Sequence, residues 1–185
     1  SITIFAADNC DPELCGNFMG CAPVEIKFGS SQIDTLALFQ YNEESVLNTN
    51  DCPFELAELT IKKNILDQIN IDVLCTGYAG AGPFPQCFDF DNISDQQLAA
   101  DGKKIQFLNQ AKEFIELVEP RAYVPFAGTY VLGSRLSNLT ELRGVPSVEQ
   151  ALDYLSKNVS NFSKGVCLGQ FDSLNAKTLE ASLAP

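Results

Sequence analysis

The residues Ile71-Asp72-Val73-Leu74-Cys75-Thr76 form a short, mostly apolar run that is typical of a buried strand. An amphipathic helix is predicted before it, over Phe54–Ile69, because isoleucines recur there at four-residue spacing. A long helix is predicted after it, over Asp95–Glu119, and another buried strand follows at Ala122–Pro125. The alternation of short apolar strands with helices predicts an α/β domain.

The residues before this region carry the pattern of strands. Alternating or β-branched apolar residues predict strands at Ser1–Ala7, Val24–Gly29, Asp34–Tyr41 and Ser45–Asn48. The polar turn Asn42–Glu44 predicts that the last two of these pair as a hairpin.

The residues after this region are predicted to hold one more helix, a short strand and a tail. A helix is expected over Ser147–Asn158, with Ser147 as its cap and Gln150 completing a capping box. Gly165–Leu168 is predicted to be a strand, and the tail Ser173–Leu183 is predicted to be helical. The whole order predicts one domain over residues 1–185, with a mixed sheet covered by helices, as in half of a layered α/β sandwich.

The composition excludes several classes of partner. The formal net charge is −12 and the sequence pI is about 4.3, so nucleic acid and anionic membrane surfaces would be repelled. No apolar run approaches the ~20 residues that span a bilayer. The seven cysteines are an odd number, which favours reduced thiols in a cytoplasmic protein.

Three segments hold candidate binding or catalytic residues. Asp51 follows a predicted strand and precedes a helix, which suits either a ligand-binding carboxylate at a sheet edge or a helix cap. The loop Gly77–Phe88 contains three glycines and two prolines, whose backbone amides could line a pocket or form a tight turn. A third candidate is a thiol site at Cys10, Cys15 and Cys21, but the acidic neighbours there oppose a reactive thiolate.

Two motifs carry a resemblance to a known family. Tyr78–Phe88 (YAGAGPFPQCF) and Glu119–Val131 (EPRAYVPFAGTYV), with the long helix between them, resemble metallo-β-lactamase-superfamily proteins. The closest branch is that of the CMP-N-acetylneuraminate hydroxylase-like proteins. The resemblance covers about Leu47 to Asn158 and implies the C-terminal half of a metallo-β-lactamase-like αββα sandwich.

The resemblance implies a metal site with one candidate ligand in this chain. Asn50-Asp51 resembles the superfamily's third metal motif, so Asp51 is the expected ligand for zinc or iron. The chain contains no histidine, and Ser30–Gln32 stands where the second-motif histidine is expected. The pocket for a small-molecule substrate is expected to be bordered by Gly80, Gly82, Phe126 and Gly128, and Arg121, Arg135 and Arg143 could make it basic.

Two functions follow from these observations. In the first, the chain is part of a metal-dependent hydrolase or hydroxylase-like enzyme, inactive until an N-terminal half supplies histidines and a second sheet. In the second, the chain is a degenerate, non-catalytic binding or assembly module. Under both hypotheses the sheet of this chain has an exposed apolar face, which is expected to be covered either by the missing N-terminal half or by another copy in a homo-oligomer.

Overall fold

The computed structural model of the chain describes residues 1–6, 35–126 and 128–184. Three features predicted from the sequence lie outside these residues. They are the strand at Val24–Gly29, the cysteine cluster at Cys10, Cys15 and Cys21, and the histidine-equivalent positions Ser30–Gln32.

The described residues form a mixed sheet of six strands that lie side by side in chain order. The first three pair antiparallel, and each later strand pairs parallel with the one before it. The strands are β1 (Ile2–Ala6), β2 (Thr35–Tyr41), β3 (Glu44–Asn48), β4 (Val73–Gly77), β5 (Ala122–Phe126) and β6 (Lys164–Gly165). The α/β class, the mixed sheet and the β2–β3 hairpin are therefore confirmed.

Helices connect the parallel strands. They are α1 (Phe54–Ile61), α2 (Ile93–Val118) and α3 (Val148–Asn158), with a π-helical turn at Lys62–Leu66 and a 3-10 helix at Ser134–Leu142. The capping box predicted for α3 is present, because the Ser147 hydroxyl accepts from the Gln150 N–H and the Gln150 side chain accepts in return. The helix predicted over Phe54–Ile69 instead changes to π-helix after Ile61, and its cap, Pro53, makes no side-chain hydrogen bond.

The prediction of a helical tail is wrong. The tail forms two short antiparallel strands, β7 (Ser173–Leu174) and β8 (Ala181–Ser182). The side-chain oxygen of Asn175 accepts from the backbone N–H groups of Lys177 and Thr178, which stabilises a turn where a helix was expected. Leu179 then has a φ of 58°, which a helix does not allow.

The two faces of the sheet are covered differently. Successive right-handed crossovers in one direction place α1, α2 and α3 on the same face. On that face Leu47, Leu74 and Tyr123 belong to one core with Phe114 and Leu155 of the helices. On the other face, called the open face below, the residues of β4 and β5 pack against the tail. That smaller core contains Val73, Val124, Val166, Leu174 and Leu179.

Of the residues that the structure describes, none covers the open face over β1 and part of β2, where apolar side chains are exposed. Residues paired across neighbouring strands share a face, so the register joins Ile2, Phe39 and Val46 to the open face. Ile2 is 67% exposed, Ile4 59% and Phe39 40%. The sheet therefore presents apolar side chains to solvent beside the tail. Across residues 1–6, 35–126 and 128–184, no helix is both long and apolar enough to cross a membrane.

Candidate functional site

The site residues predicted from the sequence all lie at or just after the carboxyl ends of parallel strands. Because β3, β4 and β5 are parallel, their carboxyl ends lie together, and ligands of α/β sheets bind at such edges. Asp51 follows β3, Gly80 and Gly82 follow β4, and Gly128 follows β5. Phe126 is the last residue of β5.

The loop that carries Asp51 is held by buried polar contacts. Thr49 is fully buried, its N–H donates to the Cys75 carbonyl at 3.0 Å, and its hydroxyl lies 3.3 Å from that of Thr76. Asn50 has a φ of 51°, a left-handed conformation that asparagine tolerates. Its side-chain amide donates to the Thr35 carbonyl at 2.6 Å. These contacts fix the backbone while the Asp51 side chain stays exposed.

Asp51 lines an open groove between the start of α1 and the middle of α2. The groove has a volume of about 560 Å³ and is also lined by Glu55, Phe107 and Glu113. Burial raises the pKa of the Glu113 carboxyl, and the neighbouring Glu55 carboxylate raises it further. Three carboxyl groups line the groove, so it is electronegative and favours cations over anions.

The Gly/Pro loop is packed onto α2 and contacts Tyr130 in the loop after β5. A Cβ at Gly80 would lie 2.6 Å from the Phe107 ring, so only glycine allows this approach. The Gly82 carbonyl accepts from Gln86, which is 3% exposed, and from the Tyr130 hydroxyl. The Lys103 ammonium donates to the Phe84 carbonyl at 2.7 Å and thereby ties the loop to the helix.

Phe126 and Gly128 lie at the neighbouring strand end. Phe126 pairs with Gly77 in the sheet register and is 43% exposed. Gly128 lies against the face of Tyr78, where a Cβ would come within 2.0 Å of the ring carbon Cζ. The close approach explains why glycine is needed at position 128.

The surroundings of Tyr78 include charges that the sequence did not reveal. Burial raises the pKa of the Tyr78 hydroxyl, and the charges of the Glu149 and Cys167 side chains raise it further. Glu149 lies in the first turn of α3 and Cys167 follows β6, so both charges come from elements distant from Tyr78 in sequence. Tyr78 was visible within the YAGAGPFPQCF motif, but no local pattern pointed to the other two.

Two of the three arginines that could have made the pocket basic have other partners. Arg121 precedes β5 at the opposite edge of the sheet, where it forms an ion pair with Asp72 at 3.0 Å and donates to the carbonyls of Ala176 and Lys177. Arg143 lies over the Tyr130 ring, with 5.3 Å from its Cζ to the ring centroid. Neither of these arginines, nor Arg135, lines the groove of Asp51.

The predicted residues share an edge but do not share one pocket. The groove lining includes Asp51 and does not include Gly80, Gly82, Phe126 or Gly128. Within the part of the chain that the structure describes, no group of three or more His, Cys, Asp or Glu residues could hold a metal ion. Comparisons with protein families, with curated proteins and with solved structures find no match for this chain.

Proposed function

We propose that this chain is the C-terminal part of a metallo-β-lactamase-fold enzyme, either a metal-dependent hydrolase or a hydroxylase-like enzyme. The observation that carries the proposal is the unequal cover on the two faces of the sheet. Three helices cover one face, whereas on the open face the tail packs against β4 and β5 and leaves Ile2, Ile4 and Phe39 exposed. A second sheet packed on the open face would complete an αββα sandwich and would bury these side chains.

Asp51 is the residue of this chain that we assign to a metal site in the complete protein. It is exposed at the carboxyl end of β3, in a loop whose backbone Thr49 and Asn50 hold in place. The described residues alone do not fit zinc or iron, since one carboxylate without imidazole or thiolate partners binds either metal poorly. The remaining ligands must therefore come from outside the described residues, and we derive no catalytic step through the metal.

The loops after β4 and β5 are assigned to the border of the small-molecule pocket. Gly80 and Gly128 are each packed against an aromatic ring, so the backbone of both loops is fixed. No described residue would contact a Cβ at Gly82, and the Phe126 ring is partly exposed, so both remain accessible. These residues would form one wall, and the second sheet would supply the other.

Elemental analysis tests the proposal. We expect bound zinc or iron in the longest form that the source genome encodes and none in residues 1–185 alone. In the long form, Asp51→Ala should lower the metal content, whereas Asp67→Ala, at an exposed site after α1, should leave it unchanged. A long form that binds no metal, or equal metal content in both variants, would refute the assignment.

A second candidate function is a degenerate binding or assembly module. The absence of histidine from all 185 residues favours it, because imidazole is the commonest protein ligand for such metals. Hydrolysis that appeared when a divalent metal was added to this chain alone would count against it.

A further inference from the structure

Among the strands that the structure describes, β1 lies at the edge of the sheet, with half of its backbone groups directed away from β2. Ser1 and Gln40 exchange two hydrogen bonds, of 2.6 and 3.0 Å, so they form a hydrogen-bonded pair. Such pairs alternate with non-bonded ones along an antiparallel ladder. The N–H and C=O groups of Ile2, Ile4 and Ala6 therefore point away from β2.

Nothing in the sequence of β1 blocks the addition of another strand. Natural edge strands are protected by charged side chains, proline, bulges or short length. Residues 1–6 (SITIFA) contain no charged side chain and no proline, and the pairing with β2 is one-to-one from Ile2 to Ala6. The edge at β6, in contrast, is only two residues long and carries Lys164.

The outward groups of β1 are self-complementary. If two copies pair antiparallel about a two-fold axis at Ile4, Ile4 meets Ile4 of the second copy and Ile2 meets its Ala6. Every outward-directed residue then faces another outward-directed residue, and each pair exchanges two hydrogen bonds. The exposed Ile2 and Ile4 side chains lie on the same face in both copies, where Ile4 contacts the Ile4 of the second copy and Ile2 contacts its Ala6.

We propose that β1 is the interface of a homodimer in which the sheet continues through both copies, with Ile4 on the two-fold axis. The pairing is isologous, so it closes after two copies and leaves no further β1 edge free. The proposed pairing involves the outer strand β1 and does not depend on the proposed metal chemistry. The net charge of −12 opposes it at long range, so the test belongs near 0.15 M salt, where charges more than about 8 Å apart are screened.

Sedimentation equilibrium of the 185-residue chain tests the proposal. We expect a dimer for the parent and a monomer for Ile4→Lys, because the substitution places two like charges opposite each other at the axis. Leu98→Lys is the matched control, since Leu98 is an exposed apolar residue on α2, and it should remain dimeric. A monomeric parent, as expected if β1 pairs with a different protein, or a dimeric Ile4→Lys would overturn the proposal.

Oxidative cross-linking tests the register independently of stability. Paired Cα atoms at Ile4 would lie about 5.5 Å apart, within the span of a disulfide, so Ile4→Cys should give a covalent dimer. The two Ile2 positions would be about 14 Å apart along the strands, so Ile2→Cys should give only the background that the native cysteines of the parent produce. Cross-linking at Ile2 and none at Ile4 would overturn the proposed register.

Discussion

The contact between Gly128 and Tyr78 makes the sharpest prediction about the candidate site. A Cβ at position 128 would lie 2.0 Å from Cζ of the tyrosine ring and 2.3 Å from Cε1. Carbon atoms in contact prefer about 3.5–4.0 Å, so Gly128→Ala requires a displacement of about 1.5 Å. Tyr78 is 4% exposed and its ring is held among core residues, so the displacement disturbs the packing at the ends of β4 and β5.

We expect Gly128→Ala to destabilise the fold by about 1–3 kcal/mol, the usual cost of overpacking. With a urea m-value of about 2 kcal/mol/M, the midpoint of urea unfolding should fall by about 1 M. Gly133→Ala is the matched control in the same loop, because no described residue lies within 4 Å of the added Cβ and φ is −103°. It should be neutral or stabilising by about 0.4–1 kcal/mol, because alanine reduces the entropy of the unfolded chain.

A double-mutant cycle identifies the cause. Removing the ring with Tyr78→Ala should abolish most of the additional cost of Gly128→Ala, because the clashing atoms are gone. Equal urea midpoints for Gly128→Ala and Gly133→Ala would refute the reasoning. So would strict additivity of Gly128→Ala and Tyr78→Ala.

Three further predictions concern the sheet, the core and the acidic groove. Asp72→Ala should cost about 1–3 kcal/mol in urea unfolding, since it leaves a part-buried backbone N–H of β3 without its acceptor. Arg121→Ala should cost less, about 0.2–1 kcal/mol, because it removes a part-exposed ion pair and hydrogen bonds to two tail carbonyls that water can replace. Phe114→Ala should cost about 3–5 kcal/mol because a buried ring is lost from the core, and the fully exposed Phe162→Ala should stay within about 0.5 kcal/mol of the parent. Because the pKa of Glu113 is raised in the folded state, the contribution of this carboxyl to stability is full below its ordinary pKa of 4.5 and is lost as the pH rises through its pKa in the folded protein. The Glu113→Gln variant should therefore be as stable as the parent in acid and more stable than the parent at neutral pH in urea unfolding.

Much of the fold could be predicted because its elements are marked by local patterns. The four-residue spacing of isoleucines, the apolar run before Thr76 and the Ser147–Gln150 capping box each identify an element without reference to the rest of the chain. The tail was predicted wrongly because its helical composition competes with the Asn175 turn and with packing of Leu174 and Leu179 on the open face. Tertiary contacts decided that competition.

The candidate site could be predicted only in its loops. The sequence indicated that Asp51, Gly80 and Gly128 follow strands, and the parallel order then placed them at one edge. It did not indicate that Asp51 and Glu113 line the same groove, since no local pattern relates them. Neither did it indicate that the charge of Glu149, on α3, acts on Tyr78 in the loop after β4.

The sequence by itself determined the α/β class, the positions of the hairpin and of the three helices between the parallel strands, and the acidity of the chain, because these depend on composition and on neighbours a few residues away. Only the tertiary structure decided which face of the sheet is covered, which loops meet and which backbone groups of β1 remain unpaired. These features depend on strand order and register, which long-range pairing sets. A one-residue shift in register would move Ile2 and Ile4 to the helix face while the local sequence stayed the same.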